Sequence, residues 1–325
     1  MSYDAAPAAQ QLIAVRVVRR CAETQDVVLF ELVAEDGAPL PPFRGGAHVD
    51  VHLPNGLVRQ YSLCGAPQER DSYRIAVLRE AGSRGGSRCL HEDIRLGAAL
   101  RISRPRNLFG LAEGGGRVVL LAGGIGVTPL LAMAEELAAA GADFVLHYCT
   151  RSAERTAFLD HLQASAYAGR VRFHHSSVRR FDFAEALGMA DDGDLACVCG
   201  PQGFIEQARD TAFALGWRDE QVRFERFSAS AVTGTGDRDF EVELSSDGSV
   251  YRVPAGTTAL AALAAQGVVI TSSCEQGVCG SCLTPVLDGE PEHRDQFLSA
   301  AEQARNDRFL PCCSRAKSLR LVLGI

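Results

Sequence analysis

Four of the eleven cysteines stand in one pattern: Cys274, Cys279 and Cys282 in the run CEQGVCGSC, then Cys312 after twenty-nine intervening residues. A C-x4-C-x2-C loop answered by a distant cysteine is the spacing with which thiolates hold a 2Fe-2S cluster. Thiolates are soft donors suited to iron and sulfide, so three on one tight loop grip one rim of a cluster and the distant one closes the other. The chain between Cys274 and Cys312 must therefore fold back on its own starting point. Gly277, Gly280 and Ser281 keep the loop small enough for backbone amides to reach the sulfurs. Structural zinc sites usually pair two C-x2-C knuckles, and only one is present. Disulfides belong to oxidising compartments, whereas the chain opens MSYDAAPAAQ without a basic and apolar leader. A cytoplasmic electron carrier is expected. Cys313 directly follows Cys312, and spacing alone leaves either as the fourth ligand.

The chain of 325 residues exceeds one typical core, so two or three domains are expected. A net charge of -7 disfavours nucleic acid as a partner. No apolar run reaches the length that spans a membrane. Cys21, Cys64, Cys89, Cys149 and Cys197 sit in apolar or strand-like runs and read as small buried hydrophobes. The eight histidines, His147 and His174-His175 among them, read as structural.

From Gln11 to Asn107 short β runs alternate with turn signals: QLIAVRVV, DVVLFELVA, HVDVHLP before Asn55-Gly56, VRQYSLCG, YRIAVLRE and ALRISRP, with one helical insert near GGSRCLHEDI. Strands at this spacing predict a small antiparallel barrel. After Gly114 to Gly116 the pattern changes to RVVLLAGG, a helix VTPLLAMAEELAAAG, then DFVLHYCT, VRFHH, DLACVCG and QVRFERF with helical stretches between. Strands alternating with helices predict a parallel sheet covered on both faces. SASAVTGTGDRD reads as a linker. Beyond it come a hairpin turning at Asp247-Gly248, a helix begun by Thr257 or Thr258 and stopped by Gly267, and the cysteine loop. No internal repeat is present.

RQYSL, from Arg59 to Leu63, sets an arginine's planar fork of donors beside an aromatic that can stack on a flat heterocycle. RGGS, from Arg84 to Ser87, exposes backbone amides ahead of a helix. AGGIGVTP, from Ala122 to Pro129, joins a buried strand to a helix as a dinucleotide phosphate loop requires, and CGPQGF, from Cys199 to Phe204, repeats the arrangement. Each motif alone is weak; their order is specific.

That order, closed by the carboxyl-terminal cysteine pattern, resembles the phthalate dioxygenase reductase family over nearly the whole chain. The resemblance implies an FMN-binding, ferredoxin-reductase-like antiparallel β-barrel over residues 1–112 and a parallel-sheet NAD-binding α/β domain over 113–228. A linker over 229–236 and a β-grasp, plant-type 2Fe-2S ferredoxin domain over 237–325 complete it. Such a chain passes electrons to a Rieske-type terminal oxygenase acting on an aromatic ring or as an O-demethylase. By resemblance Arg59 contacts the FMN phosphate, Tyr61 packs on the isoalloxazine, Ser62 approaches flavin N5, and Gln60 belongs to the same cofactor-binding stretch. Gly85, Gly86 and Ser87 complete the phosphate cradle, and Val77, Leu78 and Arg79 lie beside the flavin. Leu78 departs from the pattern, since some relatives carry lysine there. Gly124, Ile125, Gly126, Thr128 and Pro129, with Thr150 and Arg151, shape the nicotinamide nucleotide site. Cys199, with Gly200 and Pro201, lies near nicotinamide C4, and Phe227 lies by the flavin. The FLPCCSR context favours Cys312 as the fourth cluster ligand.

Nicotinamide gives two electrons as a hydride, a 2Fe-2S cluster carries one, and flavin exchanges both ways; no general base or nucleophilic triad is required. The turn CTRSAER is expected to present Arg151, Ser152 and Arg155 rather than an acidic side chain at its tip, a pattern compatible with NADPH, while the resemblance favours NADH. Alternatives are the reductase of another oxygenase type, and a flavin and iron-sulfur sensor. The segment from Gly236 holds twelve acidic residues against eight basic, including Asp288, Glu290 and Glu292, so an acidic docking face is expected.

Overall fold

The computed structural model describes residues 12–80, 82, 85–112, 115–227 and 236–325. Arg84 and most of the SASAVTGTGDRD stretch lie outside the described residues. The chain divides into two compact units, one ending at Arg226 and one beginning at Phe227.

The first unit opens with strands β1 (Ile13–Ala22), β2 (Val27–Ala34), β3 (His48–His52), β4 (Val58–Ser62) and β5 (Tyr73–Leu78), helix α1 (Gly86–Glu92) and β6 (Ala99–Ile102). They form an antiparallel sheet in the order β4-β3-β6-β1-β2-β5. A bridge from Leu63 to Ile75 joins its two ends. Val49, Val51, Phe30, Leu32, Ile75 and Leu90 fill the interior. Alternation along β1, where Val15 and Val17 are buried between exposed neighbours, is what turns one face of the sheet inward.

A second layer follows: β7 (Val118–Gly123), α2 (Val127–Ala139), β8 (Phe144–Thr150), α3 (Leu159–Ala164), β9 (Val171–His175), α4 (Phe183–Leu187), β10 (Leu195–Cys199), α5 (Gln202–Ala214) and β11 (Val222–Glu225). All five strands are parallel, in the order β11-β10-β7-β8-β9. Every residue of β7 is buried, as a strand covered on both faces requires. Asp182 caps α4 through Ala184 N and Glu185 N. Val27, Leu29 and Ala76 of the antiparallel sheet share a core with Leu131, Met133 and Tyr148, which joins the two layers within this unit. Cys64, Cys89 and Cys197 are buried as expected; Cys21 and Cys149 are half-buried. Among the described residues no helix is long and apolar enough to cross a membrane.

The second unit carries β12 (Phe240–Leu244), β13 (Val250–Val253), α6 (Ala259–Ala264), β14 (Thr284–Asp288), β15 (Pro291–Glu292), β16 (Arg308–Phe309), β17 (Arg315–Ala316) and β18 (Arg320–Leu323). Five of the strands form a mixed sheet, β13-β12-β18-β14-β16, with β12 and β18 parallel at its centre. The hairpin turns at Gly248, and the Thr258 hydroxyl caps α6 by accepting from Ala261 N. Leu263, Val242, Phe309, Leu321 and Leu323 form the core.

One charge braces this unit. Arg315, 4% exposed, donates to the carbonyls of Thr257, Arg238 and Pro254 and lies over the Phe240 ring. Its removal leaves those buried acceptors unmet. Arg315→Ala should cost about 3 kcal/mol in the second unit. Denaturant unfolding followed by the cluster's visible absorbance should show the loss, with the flavin's transition unmoved.

Candidate functional site

The cysteine loop runs from the end of α6 to β14. The Cys274 thiol bonds that of Cys279, and the Cys282 thiol bonds that of Cys312, so the four sulfurs fall into two pairs. Two irons, each needing two thiolates, fit this arrangement. Among the described residues no three His, Cys, Asp or Glu side chains converge on one point as a single ion would need. Backbone amides also approach the sulfurs: Gln276 N donates to Cys274 Sγ at 3.3 Å and Ser281 N to Cys279 Sγ at 3.5 Å. The bond from Cys274 holds the Cys279 thiol below the usual range, helped by Ser281, so Cys279 is the readier thiolate. Cys313 also bonds the Cys312 thiol, and its sulfur lies 3.7 Å from Leu310 O and 3.8 Å from Ser314 Oγ. A side chain at Gly277 would run into Cys313 Sγ at 2.4 Å, and one at Gly280 into the Phe297 ring at 2.3 Å. Leu298 and Leu310 close over Cys282 and Cys312 and keep water from them.

In the first unit Arg59 lies across Gly86, where a Cβ would stand 2.6 Å from Arg59 Cγ, so RQYSL and the glycines before α1 meet in space. Gly85 is left-handed at φ 100°, and the Ser87 hydroxyl accepts from Glu80 N at 3.4 Å. Tyr61 packs its ring on the barrel core, and Ser62 is buried. On the other face of β4, Gln60 and Ser62 stand opposite Asp50 and His48. There Gln60 Nε2 and both ring nitrogens of His48 are buried without a hydrogen-bond partner. Burial, with Arg106 nearby, holds His48 neutral with its pKa lowered to about 4. The Arg59 cradle at Gly85, Gly86 and Ser87 fits a phosphate, and Tyr61, on the same face of β4 as Arg59, fits a flat ring beside it. Val77 is committed to the barrel core, Leu78 is half-buried, and Arg79 is exposed and paired with Glu92.

The two glycine turns of the parallel sheet also meet. A Cβ at Gly126 would lie 2.2 Å from Cys199 O, and one at Gly200 would lie 3.0 Å from Gly123 Cα. Thr128 Oγ1 donates to Ile125 O at 3.0 Å, and Pro129 is buried in the first turn of α2. Thr150 is buried at the end of β8, with Arg151 exposed after it. Cys199 is fully buried, and burial pushes its thiol well above the ordinary range, with Glu225 adding to the effect. Pro201 packs against Gly123. Phe227 is exposed and belongs to the second unit.

Glu225 stands outside every motif of the sequence. It ends β11, bonds Ser62, and leaves Oε2 buried and unmet; burial raises its carboxyl to about 8 against the pull of Ser62. Its only sequence signal is a lone acid inside the strand-like run QVRFERF. Two expectations need correction. The turn after β8 does carry an acid, Glu154, which bonds Ser152. The acidic face is largely neutralised, since Glu290 pairs with Lys317 at 2.8 Å and Glu292 with Arg294 at 2.7 Å, leaving Asp288 exposed. Pairs of this kind weaken the local field at Glu290 and Glu292, while the segment keeps its excess of acidic residues.

The family model described as a 2Fe-2S iron-sulfur cluster binding domain matches residues 242–317. The chain is 51% identical to a vanillate O-demethylase oxidoreductase of Pseudomonas putida over 312 residues, covering 95% of this chain and 98% of the relative. It is 49% identical to a protein of the same name from Pseudomonas sp., covering 93% and 96%. A solved structure of phthalate dioxygenase reductase, described as modular for electron transfer from pyridine nucleotides to [2Fe-2S], superposes with a TM-score of 0.78 at 38% identity, covering 97% of this chain and 98% of that one.

Glu225 sets a pH dependence of stability. Its folded pKa, about 8, lies above the ordinary 4.5, so the folded protein keeps a proton that the unfolded chain gives up between those values. The stabilisation is therefore complete below the ordinary carboxylate range and is lost as pH rises toward 8. Unfolding midpoints of flavin-free protein from about pH 5 to about pH 9 should fall for the wild type, and Glu225→Gln should flatten that slope.

Proposed function

Since the chain belongs to the phthalate dioxygenase reductase family, we propose that it is the reductase component of an oxygenase system, moving electrons from NADH to a partner oxygenase. When bound, FMN accepts two electrons as a hydride and releases them singly, and the 2Fe-2S cluster carries them one at a time. The observation that carries this reading is the pairing of four thiols on a loop of ferredoxin spacing, in a chain whose first unit joins an antiparallel barrel to a parallel nucleotide-type sheet. We place the flavin domain at 1–112, the nucleotide domain at 113–228, a linker at 229–236 and the ferredoxin domain at 237–325. The partner is a Rieske-type oxygenase acting on an aromatic ring or as an O-demethylase, the class favoured by the resemblance in motif order.

The chain's own residues divide the work. Arg59 offers its fork to the FMN phosphate beside the amides of Gly85, Gly86 and Ser87, while Tyr61 presents a ring face to the isoalloxazine. Gln60, Val77, Leu78, Arg79 and Phe227 are the further residues assigned to the flavin. Ser62 donates at flavin N5, and Glu225 fixes that hydroxyl. A neutral Glu225 would add no charge beside that hydroxyl. The turns at Gly124 to Pro129 and Cys199 to Pro201, with Thr150 and Arg151, would hold the nucleotide, and the buried Cys199 would keep its nicotinamide end dry. Cys274 with Cys279, and Cys282 with Cys312, are the cluster ligands.

Two experiments test the reading. Cys279→Ser and Cys312→Ser should each abolish the cluster's visible and paramagnetic signals, leaving FMN bound and bleached by NADH. Cys313→Ser should keep the cluster, and loss of the cluster only in that variant would move the fourth ligand to Cys313. Arg59→Ala should weaken FMN binding about tenfold to hundredfold, as loss of a charge-assisted contact worth about 1.5 to 3 kcal/mol. Equilibrium titration of apoprotein with FMN measures it, and recovery of FAD from the native protein would overturn the flavin assignment.

A further inference from the structure

The turn leaving β8 is fixed from several sides. The hydroxyls of Thr150 and Thr156 both donate to Ser152 O, at 3.2 and 2.9 Å, and lie 2.7 Å from each other. Thr156 Oγ1 is also 3.3 Å from His175 Nε2 at the end of β9, and Ser177 N donates to Arg151 O at 3.1 Å. On this base Glu154 stands in solvent with its carboxylate bonded to the Ser152 hydroxyl and to its own backbone amide. Its neighbour Arg155 reaches Asp26 Oδ2, between β1 and β2, at 3.3 Å.

We propose that this turn selects NADH against NADPH: Glu154, oriented by Ser152, accepts the 2'-hydroxyl of the adenosine ribose, and Asp26 draws Arg155 away from where a 2'-phosphate would lie. The proposal rests on the NADH reductase reading given above. In a parallel nucleotide-binding sheet, an acidic side chain at the tip of the second strand meets the adenosine ribose, and a nearby arginine there accommodates the extra phosphate. By composition the turn offers two arginines to one acid. The fold reverses that balance, because one arginine is engaged by Asp26 and the carboxylate stands fixed beside it. A carboxylate accepts a hydroxyl proton and repels a phosphate dianion, so one group both rewards NADH and penalises NADPH. Arg151, exposed at the start of the turn, can meet the pyrophosphate shared by both nucleotides and does not distinguish them. Because Glu154 and Arg155 are exposed and Asp26 half-buried, the discrimination against the phosphate should weaken as salt screens it, whereas the hydroxyl contact should not.

The test uses the full protein carrying FMN and cluster. kcat/KM is measured for NADH and NADPH, and dissociation constants are measured by calorimetry for 5'-AMP and 2',5'-ADP, which probe the turn without turnover. The wild type should favour NADH and 5'-AMP. Glu154→Gln should lower the NADH to NADPH ratio about tenfold or more, with the change in KM and a matching change in the two probe affinities. Asp26→Asn should raise NADPH kcat/KM and 2',5'-ADP affinity by several fold, and the double variant should combine both shifts. Ratios within about twofold of wild type in both single variants would overturn the proposal while leaving the reductase reading standing. A wild type that oxidises neither nucleotide would instead remove the reductase reading itself.

Discussion

The arrangement of the first unit depends on two backbone turns touching where no side chain fits. Gly126 lies against the carbonyl of Cys199, and Gly123 against Gly200, so the ends of β7 and β10 sit in van der Waals contact. Parallel pairing sets their register, with Ala122 beside Cys199, and the next strand, β11, is placed by the same ladder, with Glu225 beside Cys199. Glu225 then meets Ser62 of the barrel. One close approach of glycines thus fixes, through two strand pairings, the distance between a barrel hydroxyl and the floor of the nucleotide site.

The second unit solves a different problem: how to hold a loop of thiols whose own apolar cluster is small. It does so with buried charge. Arg294 bonds Asp237 and Glu292, Arg315 gathers three carbonyls, and Asp295 accepts from Leu298 N and Ser314 Oγ within the segment facing Gly277. Apolar groups of like size could pack there, but could not tie separate loops at defined points. Directional bonds specify position where packing alone would leave several alternatives.

Much of this was legible in the chain. The alternation of QLIAVRVV, the unbroken apolar run RVVLLAGG, the Asp247-Gly248 turn and the cysteine spacing each reflect a local rule, and each element appears where that rule places it. What escaped depends on partners distant in sequence. Glu225 looks like a surface acid between Phe224 and Arg226 until Ser62 is brought to it. Glu154 was masked by the arginines around it, one of which is drawn off by Asp26, more than a hundred residues earlier. The count of acids near the cysteine loop suggested a charged face, but Lys317 and Arg294 fold back onto Glu290 and Glu292. Spacing could not choose between adjacent Cys312 and Cys313, because the choice is a matter of which way each side chain turns.

The contact between Arg59 and Gly86 has an evolutionary consequence. Position 86, at the start of α1, has no side chain to offer any ligand, yet anything larger than hydrogen there would displace the Arg59 side chain on β4. Drift at one position is therefore conditional on the state of the other, and the pair can change only together. Sequences in which residue 86 has acquired a side chain should have lost or relocated the arginine as well, so a joint substitution at 59 and 86 would mark lineages whose barrels have adopted a different ligand.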